Sequence, residues 1–225
     1  MGGASGLVNN EEYPVCECKV LDDVPLNEHS CGADSGCINR ELFIECGDNC
    51  PCGVFCQNQR FSRKQNAPME VFKTDQKGLG LKCNNFTTIF NNLRPGSFII
   101  EYCGEVITAK IFKKRVQEYS ERNIPHFYFM SLKSNEYIDA LKKGNISRYM
   151  NHSCNPNCEL HKWVVQNHWR IGLFAKREIK EGEELTFDYK FENYGQKQQP
   201  CFCGEDICTG QGHWNCKSRS KNYYL

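Results

Sequence analysis

The stretch "RYMNHSCNPNC", residues 148–158, decides the fold of this chain. It gathers three asparagines, one histidine and two cysteines around a single proline. An amphipathic helix needs apolar residues every three to four positions, and a half-buried strand needs one at every second position, so neither matches this stretch. The next cysteine after Cys158 is Cys201, far along the chain. The purpose of the two cysteines therefore has to be sought together with the other cysteines of the sequence.

Length, composition and charge set broad limits on the protein. The chain has 225 residues, 40% of them hydrophobic, which suits one or two compact domains with a core. Its 28 basic and 27 acidic residues are nearly balanced, so composition alone does not indicate a nucleic-acid binder. No apolar run is long enough for a signal segment or a membrane span. We therefore expect a soluble intracellular protein without membrane association, whose first ten residues, beginning "MGGASG", are an added or disordered tag.

The sixteen cysteines predict metal binding. Disulfides would require secretion, and clustered thiols in a reducing compartment usually hold zinc. The secreted disulfide protein is the alternative. Eight of the thiols lie within residues 16–56, a segment with too few aliphatic residues for a core of its own, so zinc would supply its folding free energy. The spacing permits either two separate four-cysteine sites or seven cysteines that share two ions through one bridging thiolate. The eight are Cys16, Cys18, Cys31, Cys37, Cys46, Cys50, Cys52 and Cys56.

A second group of thiols lies near the C-terminus, in "PCFCGEDICTG". Cys201, Cys203 and Cys208 supply three ligands, whereas a structural zinc ion takes four. Either Cys154 or Cys158 could be the fourth if the tail folds back over residues 151–158. Both could instead be buried packing residues.

The middle of the chain predicts a mostly β fold. Strand-like runs rich in β-branched and aromatic residues occupy 69–74, 98–107, 126–132, 136–141 and 183–189. Residues 161–179 predict a hairpin that turns at 166–168, and residues 109–123 predict a helix. Short strands with few helices are typical of folds built from small sheets.

"RYMNHSCNPNC" followed by "ELTFDY" resembles the signature pair of the SET-domain protein lysine methyltransferases. "KGLGL", "EYCGEVI" and "FDYKFENYGQKQQPCFCG" also match that family, and the order of the motifs is similar to the histone H3 lysine-36 class, closest to the Set-two subgroup. The resemblance implies a β-clip-type SET fold in which the two signature segments cross in a knot-like manner. It also implies an AWS (associated-with-SET) zinc module over residues 11–60, a SET domain over 61–190, a post-SET loop and zinc site over 191–215 and a flexible tail over 216–225.

The resemblance implies a narrow aromatic channel for a substrate lysine. A dry channel disfavours the charged form of the amine, and π faces accommodate cationic groups. Tyr189 would be the catalytic tyrosine, assisted by Tyr128. The channel walls would be Tyr102, Tyr128, Phe129 and Phe187. Each of these could instead be an ordinary core aromatic.

The cofactor implied by the family is S-adenosylmethionine. Its contacts would be Lys77, Gly78, Leu79, His126, Phe127, Tyr128, Arg148, Asn151, His152, Tyr189 and Gln199. The family also implies three zinc ions. One would be held by Cys16, Cys18, Cys31 and Cys37, the second by Cys31, Cys46, Cys50 and Cys56, and the third by Cys154, Cys201, Cys203 and Cys208.

The function implied is methylation of histone H3 in nucleosomes, at lysine 36, by a monomeric nuclear protein bound to chromatin. Zinc thiolates would make the folded unit net negative, which favours a basic peptide such as a histone tail. The run of Arg60, Arg63 and Lys64 could make a weak contact with nucleosomal DNA, although a solvated face is the simpler interpretation. The alternatives are a zinc-stabilised SET-fold chromatin-binding module without turnover, or a methyltransferase for another histone lysine.

Overall fold

A computed structural model describes residues 14–20, 30–84, 92–124, 127–190 and 200–208 of the chain. The mostly β fold with short helices is confirmed over these residues. The helices are α1 (Ile38–Glu41) and α2 (Ala109–Glu121). The strands, in chain order, are β1 (Met69–Lys73), β2 (Leu79–Cys83), β3 (Asn92–Leu93), β4 (Phe98–Glu101), β5 (Glu105–Thr108), β6 (Phe129–Lys133), β7 (Glu136–Asp139), β8 (Asn151–His152), β9 (Cys158–Val165), β10 (His168–Ala175), β11 (Ile179–Lys180) and β12 (Glu184–Phe187).

The described strands form four small sheets. Their strand orders are β1-β2-β12-β8, β4-β10-β9, β11-β3 and β5-β7-β6. The pair β12–β8 is parallel, whereas the other pairs are antiparallel. One apolar core joins the sheets, and its fully enclosed side chains include Leu81, Ile99 and Leu132. A second cluster of Phe61 with aromatic residues of β4, β9 and β10 lies beside the cysteine-rich segment.

The predicted hairpin over 161–179 is present, and the backbone conformation of its turn allows β9 and β10 to be joined by only two residues. Gln166 and Asn167 have φ of 48° and 61°, the left-handed conformation that two-residue hairpin turns of the primed type require. His168 belongs to the second strand rather than to the turn.

The helix predicted over 109–123 is also present. Its N-terminus is capped by Thr108, whose hydroxyl accepts a hydrogen bond from Ile111 N at 3.4 Å.

The predicted single strand over 98–107 is wrong. The structure divides it into β4 and β5, which belong to different sheets. Gly104 lies between them and is packed so closely that a Cβ there would come within 2.7 Å of Asp139 O. Unbroken β-propensity in "FIIEYCGEVI" therefore concealed a change of sheet, which the glycine makes sterically feasible.

The cysteine-rich segment packs on the β9 edge. Glu45 N donates to Val164 O at 2.9 Å, and Val164 N donates to Phe43 O at 2.8 Å. These bonds extend the sheet β4-β10-β9 by a parallel bridge between Ile44 and Val164. In the described ranges, no helix has both the length and the apolar character needed to cross a bilayer.

Candidate active site and thiol clusters

The signature segments 148–158 and 184–189 lie side by side. Strand β8 runs parallel to β12, with Asn151 opposite Thr186 and His152 opposite Phe187. Ser153 N continues the pairing by donating to Phe187 O at 3.3 Å. Two stretches whose paired residues lie 35 positions apart thus place their functional side chains within one small area.

Asn157 holds the two segments together from within. Its side chain is 2% exposed. The amide Nδ2 donates to Glu183 Oε1 and to Glu184 O, each at 2.8 Å, and Oδ1 accepts from Thr186 N at 2.9 Å. Sequence reasoning assigned Asn151 to the cofactor and gave Asn157 no role. It missed this role because an asparagine in a polar stretch gives no signal of its distant partners.

Tyr189 lies at the end of the crossing, next to Phe187. The two ring centroids are 4.7 Å apart. The Tyr189 hydroxyl donates to Met150 O at 2.6 Å, and Tyr189 N donates to His152 Nδ1 at 3.3 Å. Burial raises the pKa of Tyr189, so the hydroxyl stays protonated and neutral at physiological pH.

Tyr102 and Tyr128 face the same space as Tyr189. The Tyr102 hydroxyl donates to Tyr128 O at 3.1 Å. Burial raises the pKa of Tyr102, and the nearby Tyr189 hydroxyl acts in the same direction. Burial likewise raises the pKa of Tyr128, whose hydroxyl in turn acts on Tyr189. The structure therefore brings together Tyr102, Tyr128, Phe187 and Tyr189 in a water-poor aromatic site.

Phe127 and Phe129 lie on the side of this area that faces α2. The Phe129 ring contacts Phe112 at 4.9 Å and Tyr119 at 5.7 Å between centroids. The Phe127 ring lies 5.9 Å from Phe129. These contacts are those of a core aromatic under the helix, so a role of Phe129 in the channel wall stays a prediction.

The residues predicted to bind the cofactor converge from three segments. Asn151 Nδ2 donates to Leu79 O at 3.1 Å and to Glu184 Oε1 at 2.9 Å. Lys77 Nζ forms an ion pair with Glu184 Oε2 at 2.5 Å. Gly78 has φ of +79° and open space where a Cβ would stand. Glu184 was missed from the sequence because "EELTFDY" offers two adjacent acids and no means of choosing between them.

Arg148 approaches this area from the 3-10 turn that precedes β8. Its Nη1 donates to Ala140 O at 3.3 Å and to Leu141 O at 3.2 Å, and its Nη2 donates to the Tyr149 hydroxyl at 2.8 Å. The guanidinium is therefore held by the backbone that follows β7. His126 and Gln199, which complete the predicted cofactor contacts, lie outside the described residues.

The front thiol cluster has the dimensions of a zinc site. Four sulfurs at about 2.3 Å from a tetrahedral zinc ion would be separated by about 3.8 Å. The Sγ atoms of Cys16 and Cys31 are 3.6 Å apart, and those of Cys31 and Cys50 are 3.7 Å apart. Two groups lie within 4.8 Å: Cys16, Cys31, Cys37 and Cys46, and Cys31, Cys46, Cys50 and Cys56.

The second of these groups is the ligand set implied by the resemblance, and the two groups share both Cys31 and Cys46. The first group contains Cys46 where Cys18 was expected. Cys18 nevertheless lies in hydrogen-bond contact with the thiols of Cys31 and Cys37, so its ligand role stays a prediction. Cys52 is a further buried thiol, which donates to Cys31 Sγ at 3.7 Å. The fifteen described cysteines are free thiols, which contradicts the disulfide interpretation over this part of the chain.

The tail thiols come together with Cys154. The sulfurs of Cys154, Cys201, Cys203 and Cys208 lie within 4.8 Å of one another, with Cys154 and Cys201 at 3.9 Å. Cys158 is instead buried in the apolar core, donates to Asn157 Oδ1 at 3.3 Å, and has its pKa raised to about 12 by burial. The geometry thus separates the two cysteines of the opening stretch, which spacing alone could not do.

Hydrogen bonds from the loop also favour a thiolate in the tail group. Burial opposes ionisation of Cys203, but backbone hydrogen bonds from Cys154 and Glu205 lower its pKa to about 7. The Glu205 carboxylate additionally accepts from Ser153 Oγ at 3.2 Å and from Asn155 Nδ2 at 3.3 Å. The tail is therefore attached to both neighbours of Cys154 as well as to its thiol.

The basic residues Arg60, Arg63 and Lys64 follow the front cluster, and the first two are engaged within the protein. Arg63 donates to the carbonyls of Gly53, Val54 and Cys56, and thereby closes the 3-10 turn of the thiol cluster. Burial lowers the pKa of Arg60, which indicates that its guanidinium is largely removed from water. Lys64 is exposed.

Comparison with known families agrees with this geometry. The AWS domain profile matches residues 27–64, and the SET domain profile matches residues 90–190. The chain therefore contains an AWS domain and a SET domain. It is 50% identical over 196 residues to "Histone-lysine N-methyltransferase, H3 lysine-36 specific" of Aspergillus fumigatus, an alignment that covers 87% of this chain and 20% of the relative.

Other relatives are similar to nearly the same part of the chain. It is 48% identical over 202 residues to a protein of the same name from Cryptococcus neoformans, covering 89% of this chain and 23% of the relative. It is 49% identical over 197 residues to human "Histone-lysine N-methyltransferase SETD2", covering 87% of this chain and 7% of the relative. The chain thus spans less than a quarter of the length of the relatives that it matches.

Proposed function

We propose that this chain is an S-adenosylmethionine-dependent protein lysine N-methyltransferase that acts on histone H3 at lysine 36. The observation that carries the proposal is the Tyr189 hydroxyl, held by Met150 O at 2.6 Å beside Phe187 in a buried aromatic site. The names of the relatives at about half identity support the same reaction and the same substrate.

The site residues fit the proposed cofactor. S-adenosylmethionine, when bound, supplies an electrophilic methyl group on a sulfonium centre. It also carries an ammonium and a carboxylate, so a site with polar groups of both kinds suits it. The carbonyl of Leu79, the amide of Asn151 and the Lys77–Glu184 ion pair provide such groups, with open space beside Gly78. The proposed contacts are Lys77, Gly78, Leu79, His126, Phe127, Tyr128, Arg148, Asn151, His152, Tyr189 and Gln199.

The aromatic site prepares the substrate amine. A lysine ammonium, with an ordinary pKa of about 10.4, has no lone pair to react. Transfer into a dry site disfavours the charged form and lowers that pKa. The Tyr189 oxygen, whose proton is directed to Met150 O, retains lone pairs that can accept an N–H of the neutral amine and orient it. Orientation of the two reactants supplies much of the rate in a displacement of this kind.

Zinc has a structural role in this proposal. The front cluster would hold two ions and the tail group one, since their sulfur separations match a tetrahedral site. The third ion would fix the tail against residues 151–158, close to Tyr189. Four protein thiolates would fill its coordination, so it would leave no ligand position open for chemistry on the metal.

The partners proposed are the histone H3 tail and the nucleosome, with the protein a monomer on chromatin in the nucleus. The negative charge of the zinc thiolates supports attraction of a basic tail. The run of Arg60, Arg63 and Lys64 could contact nucleosomal DNA mainly through Lys64. Arg63 already donates to backbone carbonyls, and Arg60 is largely buried.

Transfer of a radiolabelled methyl group to nucleosomes tests the proposal. The substrates are nucleosomes with wild-type H3 and with H3 Lys→Arg at position 36. We expect labelling of the first only. Tyr189→Phe keeps the ring that would contact the cofactor and removes only the hydroxyl. It should lower the rate on the order of 10²-fold, the effect of removing one oriented polar group, while the Kd of the cofactor by calorimetry changes much less. Labelling of both substrates would indicate another lysine, and cofactor or nucleosome binding without labelling would indicate a binding module.

A further inference from the structure

The segment Asp139–Leu141, at the end of β7, lies between the two halves of the proposed site. On one side Ala140 N donates to Tyr128 O at 3.0 Å. On the other side Arg148 Nη1 donates to Ala140 O and Leu141 O. A proposed channel residue and a proposed cofactor residue are therefore both positioned by the same short piece of backbone.

The Asp139 carboxylate anchors this segment. It is 1% exposed and accepts from Arg115 Nη1 at 2.6 Å, from the Tyr119 hydroxyl at 2.8 Å and from Leu141 N at 3.0 Å. Arg115 also donates to Glu105 at 3.0 Å, so its charge is shared between two carboxylates. A buried carboxylate with three donors is satisfied and strongly fixed in place.

Close packing prevents the segment from adjusting locally. A Cβ on Gly104 would lie 2.7 Å from Asp139 O, and a Cβ on Gly144 would lie 2.8 Å from Ala140 O. Asp139 is also paired on both sides, with Glu105 of β5 and Phe129 of β6. A displacement of the carboxylate therefore has to move the carbonyls that hold Arg148 and the amide that holds Tyr128.

We propose that Asp139 is a positioning residue for the cofactor and the lysine channel, acting through Ala140 and Leu141 on Arg148 and Tyr128. The inference rests on the proposed function, since it assigns both targets to the methyl-transfer site. Asp139 touches neither reactant. Its effect is to set the position of two groups that would.

Asp139→Asn tests this inference because it keeps the shape and one acceptor for Leu141 N. The NH2 group of the asparagine would take the place of the carboxylate oxygen that accepts from Arg115 and Tyr119. Donor would then face donor, so the segment has to shift. We expect the Kd for S-adenosylmethionine, measured by calorimetry, to rise about tenfold, which is the loss of roughly one good hydrogen bond. At saturating cofactor, kcat should fall on the order of 10²-fold, as for misplacement by about 1 Å.

Val165→Ala is the matched control. Val165 is fully buried in the aromatic cluster beside the cysteine-rich segment, which is separate from the core cluster that contains Ala140. It should lower the melting temperature to a similar degree and leave the Kd and kcat near wild type. An unchanged Kd and kcat in Asp139→Asn, or equal changes in both variants, would overturn the inference.

Arg115→Lys decides the matter if Asp139→Asn does not fold. Lysine keeps the charge but cannot reach both Glu105 and Asp139 as the guanidinium does, and the Kd should rise several-fold. A Kd equal to that of wild type would again refute the role. Failure of the proposed function looks different, because the wild-type protein itself would then fail to bind S-adenosylmethionine or to methylate histone H3 at lysine 36.

Discussion

The buried amide of Asn157 should be essential for stability, and Asn157→Ala tests this. The change removes hydrogen bonds to Glu183, Glu184 and Thr186 across the crossing of β8 and β12. It leaves the amide of Thr186 and the carbonyl of Glu184 without their partner. Alanine has no polar side-chain atom, so it replaces neither the donor nor the acceptor of the amide.

The size of the expected loss of stability follows from the polar groups left unpaired. Each buried polar group that loses its partner costs roughly 1–3 kcal/mol, so two such groups cost about 4 kcal/mol. For a chain of this size each kcal/mol lowers the melting temperature by roughly 2–4 °C. We therefore expect Asn157→Ala to unfold about 8–16 °C below wild type, at equal zinc concentration.

Thermal unfolding followed by circular dichroism at one scan rate is the assay, and Asn155→Ala is its control. Asn155 lies two positions away in the same loop and is exposed, and its amide donates to Glu205 at 3.3 Å. Its removal should cost less than about 0.5 kcal/mol, as is usual for surface positions. Equal melting temperatures for the two variants would show that Asn157 does not hold the crossing.

Two further predictions concern the tail and the cofactor site. Cys154→Ser should lower the zinc content by about one ion per chain, measured by elemental analysis, because it removes one of four thiols, whereas Cys158→Ser should retain all the zinc. Zinc loss from both variants would contradict the assignment. Glu184→Gln removes the ion pair with Lys77. The Lys77 side chain is 20% exposed and the Glu184 side chain 23%, so the free energy of unfolding should change by less than about 1 kcal/mol. Calorimetry should nevertheless show weaker S-adenosylmethionine binding by several-fold, and an unchanged Kd would exclude Glu184 from the site.

Features that depend on local pattern could be predicted from the sequence. Thiol spacing indicated metal sites, because a reduced protein seldom needs so many cysteines at short separations for any other purpose. The helix over 109–123 and the turn of the hairpin at Gln166 and Asn167 were predictable because capping and left-handed residues act within a few positions. The signature pair indicated the active site through its resemblance to a family rather than through its own physical pattern.

Features that depend on distant partners were not predictable in the same way. The division of 98–107 into two strands depends on Asp139, which lies on a different strand. The choice between Cys154 and Cys158 depends on which one faces the tail. Glu184 and Asp139 look like ordinary acids in strands, because the periodicity of a sequence shows which face a residue occupies but not which donor it meets.

Zinc at the tail thiols would hold a different part of the proposed site from the buried polar groups. The thiol of Cys154 joins the tail to the loop, whereas the amide of Asn157 joins the loop to β12, and the two sets of bonds share no atoms. The Tyr189 hydroxyl bonds to Met150 O, on the loop side of the crossing. The position of Tyr189 therefore depends on hydrogen bonds within the SET domain. A metal ion at the tail thiols would have a narrower task, which is to keep the tail over a site that the crossing has already assembled.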